Sequence, residues 1–386
     1  MTDRLVTLFL LALLAALPAW SQEDGEEGDG FRFEIAKQLD TTPVKNQSRT
    51  GTCWSFATSS FIETELIRMG KGRHDLSEMF AVRMIYPEKA RRYVRYHGNS
   101  TLGSGSLSGD LLRVWREHGA LPESVYDGRF VGQDRHNHAE LDKVLKAMLD
   151  AVVSNPGKTL SPAWPEAVNG VLDAYLGAVP ETFEYEGKTY TPRSFADMLG
   201  IDPGDYVELT SFAHHPFYTR IDLELPDNWA ENLYYNVPLD ELMAVLDRAI
   251  EKGYSVGWDG DTSERSFMHK KGVATMPAVD WEARDSDAQD ALGDAPEEEL
   301  TVTQAVRQAM FDNYATTDDH LMHIVGIATD QNGTRYYITK NSWGTLRSEF
   351  EGYLNMSEAY VRAKTVSILV HRDVLPAALS ERLAAK

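Results

Sequence analysis

The sequence predicts an α+β fold in two lobes, and three observations predict it. Residues 53–119 are punctuated like a run of helices, the residues after 300 are rich in β-formers around a hairpin turn, and the long middle alternates helical stretches with loops. With 386 residues, 42% hydrophobic and 10% aromatic, the chain can bury one large core or two closely joined ones.

Taken in order, the N-terminus carries Arg4, an apolar run over 5–17 and then Ala19-Trp20-Ser21, the charge, core and small-residue pattern of a secretory signal. Residues 1–21 are therefore expected to be a signal peptide cut after Ser21, with an uncleaved anchor as the alternative. The destination would be periplasmic or extracellular. The run is too short to span a bilayer, and no later segment approaches about 20 consecutive apolar residues, so no stable membrane insertion is expected. Residues 22–32, rich in Gly and acid, read as a disordered leader, after which Phe31-Arg32-Phe33-Glu34-Ile35 has the composition of a short strand. A helix is expected from Cys53 to about Met69, with Trp54, Ala57 and Phe61 on one face and Gly70 at its end. A second begins after Ser77 as cap, and a third runs from Asp110 to about His118 and closes at Gly119.

The middle, 135–300, is expected to be an insertion and lobe linker with helices over 138–153 and 239–251, and it contains no internal repeat. Beyond it, 323–328 and 334–340 read as strands joined by Asp330-Gln331-Asn332-Gly333, and 352–356 and 366–370 add two more. The main domain would thus span 33–376, with 377–386 as a C-terminal tail.

Acidic residues outnumber basic ones 59 to 38, for a formal charge of −21. Such a surface repels phosphate backbones, so no nucleic-acid partner is expected. Gly103-Ser104-Gly105-Ser106 has no preceding strand and no following lysine, which excludes a phosphate-cradling loop. His214-His215 lacks further ligands at helical spacing and reads as a loop pair, so no metal and no cofactor is expected.

The chain has a single cysteine, which excludes an internal disulfide. A lone thiol in an oxidising compartment needs a reason, the alternative being an inert buried residue. Cys53 opens the first helix, where unpaired N–H groups and the dipole favour a thiolate, and Gly51 just before it permits close approach. Gln47, six positions upstream, could offer a side-chain amide to an oxyanion alongside the Cys53 N–H. The candidate base is His320 in Asp319-His320, at the start of a strand. His323 is the alternative, on the opposite face of that strand and deeper in an apolar run. Asn341 in Lys340-Asn341-Ser342-Trp343-Gly344 could fix the imidazole tautomer, with Trp343 shielding that hydrogen bond.

Asn46-Gln47-Ser48-Arg49-Thr50-Gly51-Thr52-Cys53-Trp54-Ser55-Phe56, then Asp319-His320, then Asn341-Ser342-Trp343-Gly344 resembles the papain-like cysteine peptidases in order, spacing and residue type. Within them the chain looks like the bleomycin hydrolase and aminopeptidase C branch, given the short leader, the long insertion, Gly105 before the helix leading to His118-Gly119, Tyr235-Asn236-Val237-Pro238 and Gly352-Tyr353-Leu354. The resemblance covers most of 35–376 and is dense only around the three motifs. It implies a papain-like fold with a helical N-terminal lobe and an antiparallel β C-terminal lobe, a thioester acyl-enzyme, peptide substrates and removal of N-terminal residues. Cys53 would be nucleophile, His320 base, Asn341 its orienter and Gln47 an oxyanion donor; Gly51, Trp54, Gly105, Ser106 and Trp343 are the expected substrate-binding positions. Ser106 stands where the branch usually has a second glycine. The tail after Pro376 looks shorter than the C-terminal arm that gives the branch its aminopeptidase character, which leaves an endopeptidase open. A signal sequence is also unusual, since the best-known members are cytosolic hexamers; a homo-oligomer is what the resemblance implies here. Other readings are a peptide-binding protein without turnover and acyl transfer by the same residues.

Overall fold

The computed structural model describes residues 30–129, 133–155, 157, 159–346 and 348–384. The expected signal peptide and residues 22–29 of the leader lie outside these residues; 30–32, expected to be disordered, are held against the sheet, with the Arg32 N–H on Gln331 Oε1 at 3.0 Å. No helix among the described residues is long and apolar enough to cross a membrane.

The N-terminal lobe holds β1 (Glu34–Gln38), α1 (Cys53–Arg68), α2 (Glu78–Arg95), α3 (Ser108–His118), α4 (Ala139–Val153), α5 (Trp164–Leu176), the hairpin β2 (Phe183–Tyr185) and β3 (Lys188–Tyr190), and α6 (Pro192–Leu199). The Ser77 hydroxyl accepts from the Phe80 N–H at 3.0 Å, the cap expected for α2. At the end of α3, Gly119 has φ 91, and a Cβ there would collide with the Pro192 carbonyl, so only glycine fits. The first strand sits three residues later than the aromatic pair suggested, because Phe31 and Phe33 stack on each other and on Tyr336 instead of pairing in the sheet.

Helix α1 carries more than an apolar stripe. Every residue from Cys53 to Leu66 is buried, including Ser55, Thr58, Ser59, Ser60, Glu63 and Thr64. Its apolar side enters the N-terminal core through Trp54, Phe56, Phe61 and Ile62, whereas its polar groups find partners in both lobes. Glu63 accepts from the Leu76 N–H at 2.8 Å, and Ser60 meets both the His323 ring at 2.9 Å and Lys340 Nζ at 2.8 Å. A helix polar yet buried all round is thereby locked in one position, since Ser55, Thr58, Ser60 and Glu63 would lose their partners if it slid.

The middle supplies more than the two helices that the sequence indicated. It adds β4 (Tyr206–Thr210), β5 (Thr219–Asp222), β6 (Leu233–Asn236), α7 (Leu239–Lys252), β7 (Val256–Gly260), β8 (Phe267–Met268), β9 (Val273–Ala274), α8 (Ser286–Asp290) and α9 (Gln304–Asp312). The last part is β10 (His320–Thr329), β11 (Arg335–Lys340), β12 (Tyr353–Ser357), α10 (Glu358–Lys364), β13 (Thr365–His371) and α11 (Ala377–Ala384). The large sheet runs β5-β6-β4-β13-β7-β10-β11-β12-β9-β8, with β1 paired to β10. Strand β10 is its axis: β7 pairs with its first half and β1 with its second along one edge, and β11 occupies the other. Its residues through Ala328 are buried, which explains a near-continuous apolar run where alternation would mark a half-exposed strand. Leu379 and Leu383 of α11 are buried in the core of this lobe, and Arg382 reaches Tyr218 and Glu241, so the described tail is packed on α7.

Candidate active site

The site lies where the first turn of α1 meets the start of β10. Thr52 precedes the helix without a side-chain cap; its carbonyl takes the Ser55 and Phe56 N–H groups, which leaves those of Cys53 and Trp54 for other partners. The Leu321 and Trp54 backbones both hydrogen-bond the Cys53 sulfur. Burial outweighs them: it pushes the Cys53 thiol up to about 12, with the carboxylates of Asp318 and Asp259 adding to the rise.

His320 is buried at the start of β10, next in the chain to Leu321. Its Nε2 lies 2.8 Å from Asn341 Oδ1, and that oxygen also accepts from the Ser342 N–H at 2.7 Å. The second contact fixes which end of the amide faces the ring. An amide oxygen only accepts, so Nε2 carries the imidazole proton and Nδ1 keeps a lone pair for the thiol proton. Trp343 stacks on the ring at 4.8 Å between centroids and 28° between planes, covering the bond from solvent. Burial holds the imidazole down to about 4, against the opposing pull of Asn341. Thiolate and imidazolium are therefore each disfavoured alone and compensate each other only as a pair, which ties the departure of the sulfur proton to its arrival on His320.

Gln47 is held at both ends. Its Oε1 accepts from the Ser342 hydroxyl at 2.6 Å and its Nε2 donates to the Thr50 carbonyl at 2.8 Å, leaving one amide hydrogen for an anion. Pairing of Asn46 with Trp343 and the Gln47 N–H to the Ser342 carbonyl tie this loop to the Asn341 segment. His323, the alternative base, lies two turns further along α1, fully buried against Ser60 and Lys340.

The expected substrate-binding positions divide. Gly51 is exposed, its N–H bonded to the Ser104 hydroxyl, and Trp343 is 38% exposed at the cleft. Trp54 is not a surface of the cleft: it is fully buried, and its indole N–H donates to the Ser104 carbonyl at 2.8 Å, pinning the 103–106 loop to α1. Ser106 likewise turns inward, engaged by Asp110 and by the Trp229 indole N–H. Both were misplaced because their positions in the motif said nothing about which way the side chains turn. Gly105 remains partly exposed, with the Asp227 carboxylate against its α-carbon.

Three residues escaped the sequence reading. His269 contacts Asn341 Nδ2 at 3.3 Å and packs on Trp343, and Phe267 supports the same indole. Ser342 bridges Asn341 to Gln47. Only Ser342 carried a signal, since it adjoins the Asn341 motif. His214 and His215 both point Nε2 at Glu224, at 3.2 and 2.8 Å, a partner distant from any helical spacing.

Known proteins place this arrangement. Residues 171–386 match the Peptidase C1-like family. The chain is 23% identical to Aminopeptidase C of Lactococcus lactis subsp. lactis (strain IL1403) over 390 residues, covering 91% of this chain and 85% of that protein. It is 24% identical to Aminopeptidase W of Lactobacillus delbrueckii subsp. lactis, covering 90% and 84%. Among solved structures, PepW from Lactobacillus rhamnosis HN001 superposes with a TM-score of 0.71 at 20% identity over 91% of this chain and 85% of that one, which establishes the papain-like fold. With more than half of its length matched by that family, the chain belongs to the Peptidase C1-like family and is a papain-like cysteine peptidase of the bleomycin hydrolase and aminopeptidase C branch.

Proposed function

We propose that the protein is an exported cysteine aminopeptidase in which Cys53 is acylated by the N-terminal residue of a peptide. The observation that carries the chemistry is the His320 Nε2 to Asn341 Oδ1 bond, which leaves Nδ1 as the base beside a thiol at a helix N-terminus. Cys53 Sγ attacks the scissile carbonyl carbon as its proton moves to His320. The oxyanion is held by the Cys53 N–H and Gln47 Nε2, and His320 then gives its proton to the leaving amine as the C–N bond breaks. Water, deprotonated by His320, cleaves the thioester and releases the acid and the thiol. Aminopeptidase action is supported by the names of the relatives; export is supported by Arg4, the 5–17 apolar run and Ala19-Trp20-Ser21.

An endopeptidase is the second reading, favoured by one observation: the described tail packs on α7, with its contacts on Tyr218, Glu241 and the core of that lobe. Mass spectrometry of a decapeptide digest separates the two. Stepwise loss of single N-terminal residues is expected, and internal cuts as first products would sink the aminopeptidase reading. Cys53→Ala should abolish all cleavage while the protein still melts cooperatively; activity near wild type would sink the peptidase mechanism itself. Export predicts a mature chain starting at Gln22 outside the cytoplasm, and a cytoplasmic protein retaining residues 1–21 would contradict it.

A further inference from the structure

Beside the thiol, three carboxyl groups converge from separate parts of the chain. Asp318 stands two residues before His320. Asp259 lies in β7 directly opposite Leu321, the residue whose backbone bonds the Cys53 sulfur. Asp227, from the loop between β5 and β6, lies against Gly105, where a Cβ would collide with its carboxylate. Asp259 and Asp318 hydrogen-bond through their side chains, which requires one proton between them. Beyond that contact, the pair's side chains meet only the Ser367 hydroxyl among the described residues, 3.4 Å from Asp259 Oδ2.

No cation pairs directly with them: among the described residues, none of the three forms an ion pair within 4 Å. Lys89, whose charge reaches Asp227, spends Nζ on the carbonyls of Gly103 and Gly105. The Tyr234 hydroxyl, fully buried and itself unpartnered, stands in the field of Asp259 and Asp318. Carboxylates gathered this far out of water are costly unless a cation completes them.

Building on the cysteine aminopeptidase reading, we propose that Asp318, Asp259 and Asp227 form the subsite that holds the α-ammonium group of the residue being removed. The chemistry recognised is an organic cation on the amino side of the scissile bond. It comes from the peptide terminus and not from a Lys or Arg side chain, because the carboxylates stand at backbone range of the thiol. Asp259 faces Leu321 across the sheet and Asp318 precedes His320 by two residues, which sets both carboxyl groups next to the reacting residues, on the side a group one Cα from the attacked carbonyl would occupy. Asp227, across Gly105, confronts an extended chain with a carboxylate where a blocked terminus would place a carbonyl oxygen. A free terminus is ammonium near neutral pH and can donate to these oxygens, whereas an acetylated one cannot ionise.

The test compares kcat/KM of wild type, Asp318→Asn and Asp227→Asn on three fluorogenic amides: a free aminoacyl amide, its N-acetyl form, and an N-acetyl dipeptidyl amide with Arg second from the bond. Asp227→Asn removes a charge and Asp318→Asn replaces an accepting oxygen with an amide donor; either loss of a charge-assisted contact should lower turnover of the free substrate about 10- to 100-fold. The acetylated substrate should be unchanged or improved, collapsing the preference. An unchanged preference in both variants overturns the subsite. If the Asp-dependent gain instead follows the Arg side chain of the acetylated dipeptide, the α-ammonium assignment is overturned. Thermal melting checks each variant's fold, and Asp227→Asn, in a partly exposed loop, serves if Asp318→Asn does not fold. Hydrolysis by Cys53→Ala would strike at the peptidase reading alone, whatever the aspartate variants do.

Discussion

Removing the base should silence the thiol long before it harms the fold. In His320→Asn, Cys53 loses the acceptor that compensates its charge, and its ionisation is then set by its surroundings, burial foremost, which push it from an ordinary 9.0 up to about 12. Each unit is a tenfold change in thiolate, so at neutral pH the variant should hold about a thousandfold less reactive thiolate than an exposed cysteine. Because the chain has one cysteine, a single mass increment on the intact protein reports Cys53 directly. The assay is alkylation by iodoacetamide, a neutral reagent, followed by mass spectrometry between pH 6 and 10. Wild type should be labelled readily near neutrality. The variant should be nearly inert at pH 7, with a rate that climbs about tenfold per pH unit up to the highest pH tested. Labelling of His320→Asn at the wild-type rate at pH 7 would refute the proton transfer from Cys53 to His320.

Other expectations follow from the same contacts. Asn341→Ala frees the ring to rotate and to adopt the other tautomer; kcat should fall about 100-fold, the lower end of what a positioned base contributes, with KM little changed, as steady-state kinetics will show. Asp318 is raised to about 7 by burial and then by Asp227. A carboxyl raised in the folded state stabilises at pH values below its unfolded pKa, and that contribution is lost as pH rises through 7. Asp318→Asn does not titrate and can still donate to Asp259, so its melting temperature relative to wild type should be higher at pH 9 than at pH 5; the opposite trend would count against the buried pair. Phe61→Ala removes a fully buried ring packed against Tyr206 and His323 and should cost about 3 to 5 kcal/mol in urea unfolding.

The sequence by itself determined the elements whose signals are local. Ser77 capping α2, Gly119 closing α3 and the turn at 330–333 are read from neighbours in the chain, and the structure keeps all three. The order of Gln47, Cys53, His320 and Asn341 was legible for the same reason, as three short motifs. Tertiary structure decided the rest. Strand β7, Val256-Gly257-Trp258-Asp259-Gly260, shows no alternation because β10 and β13 bury it from both edges; its glycines allow Leu369 and the Lys364 carbonyl to approach. Only the assembled sheet sets Asp259 opposite Leu321, and only a loop more than a hundred residues from Gly105 brings Asp227 against it. Burial is a property of the packed molecule, and so is the mutual dependence of the Cys53 and His320 charges. The sequence named a thiol and a base; folding both into a water-poor seam beside three carboxylates made each charge dependent on its neighbours.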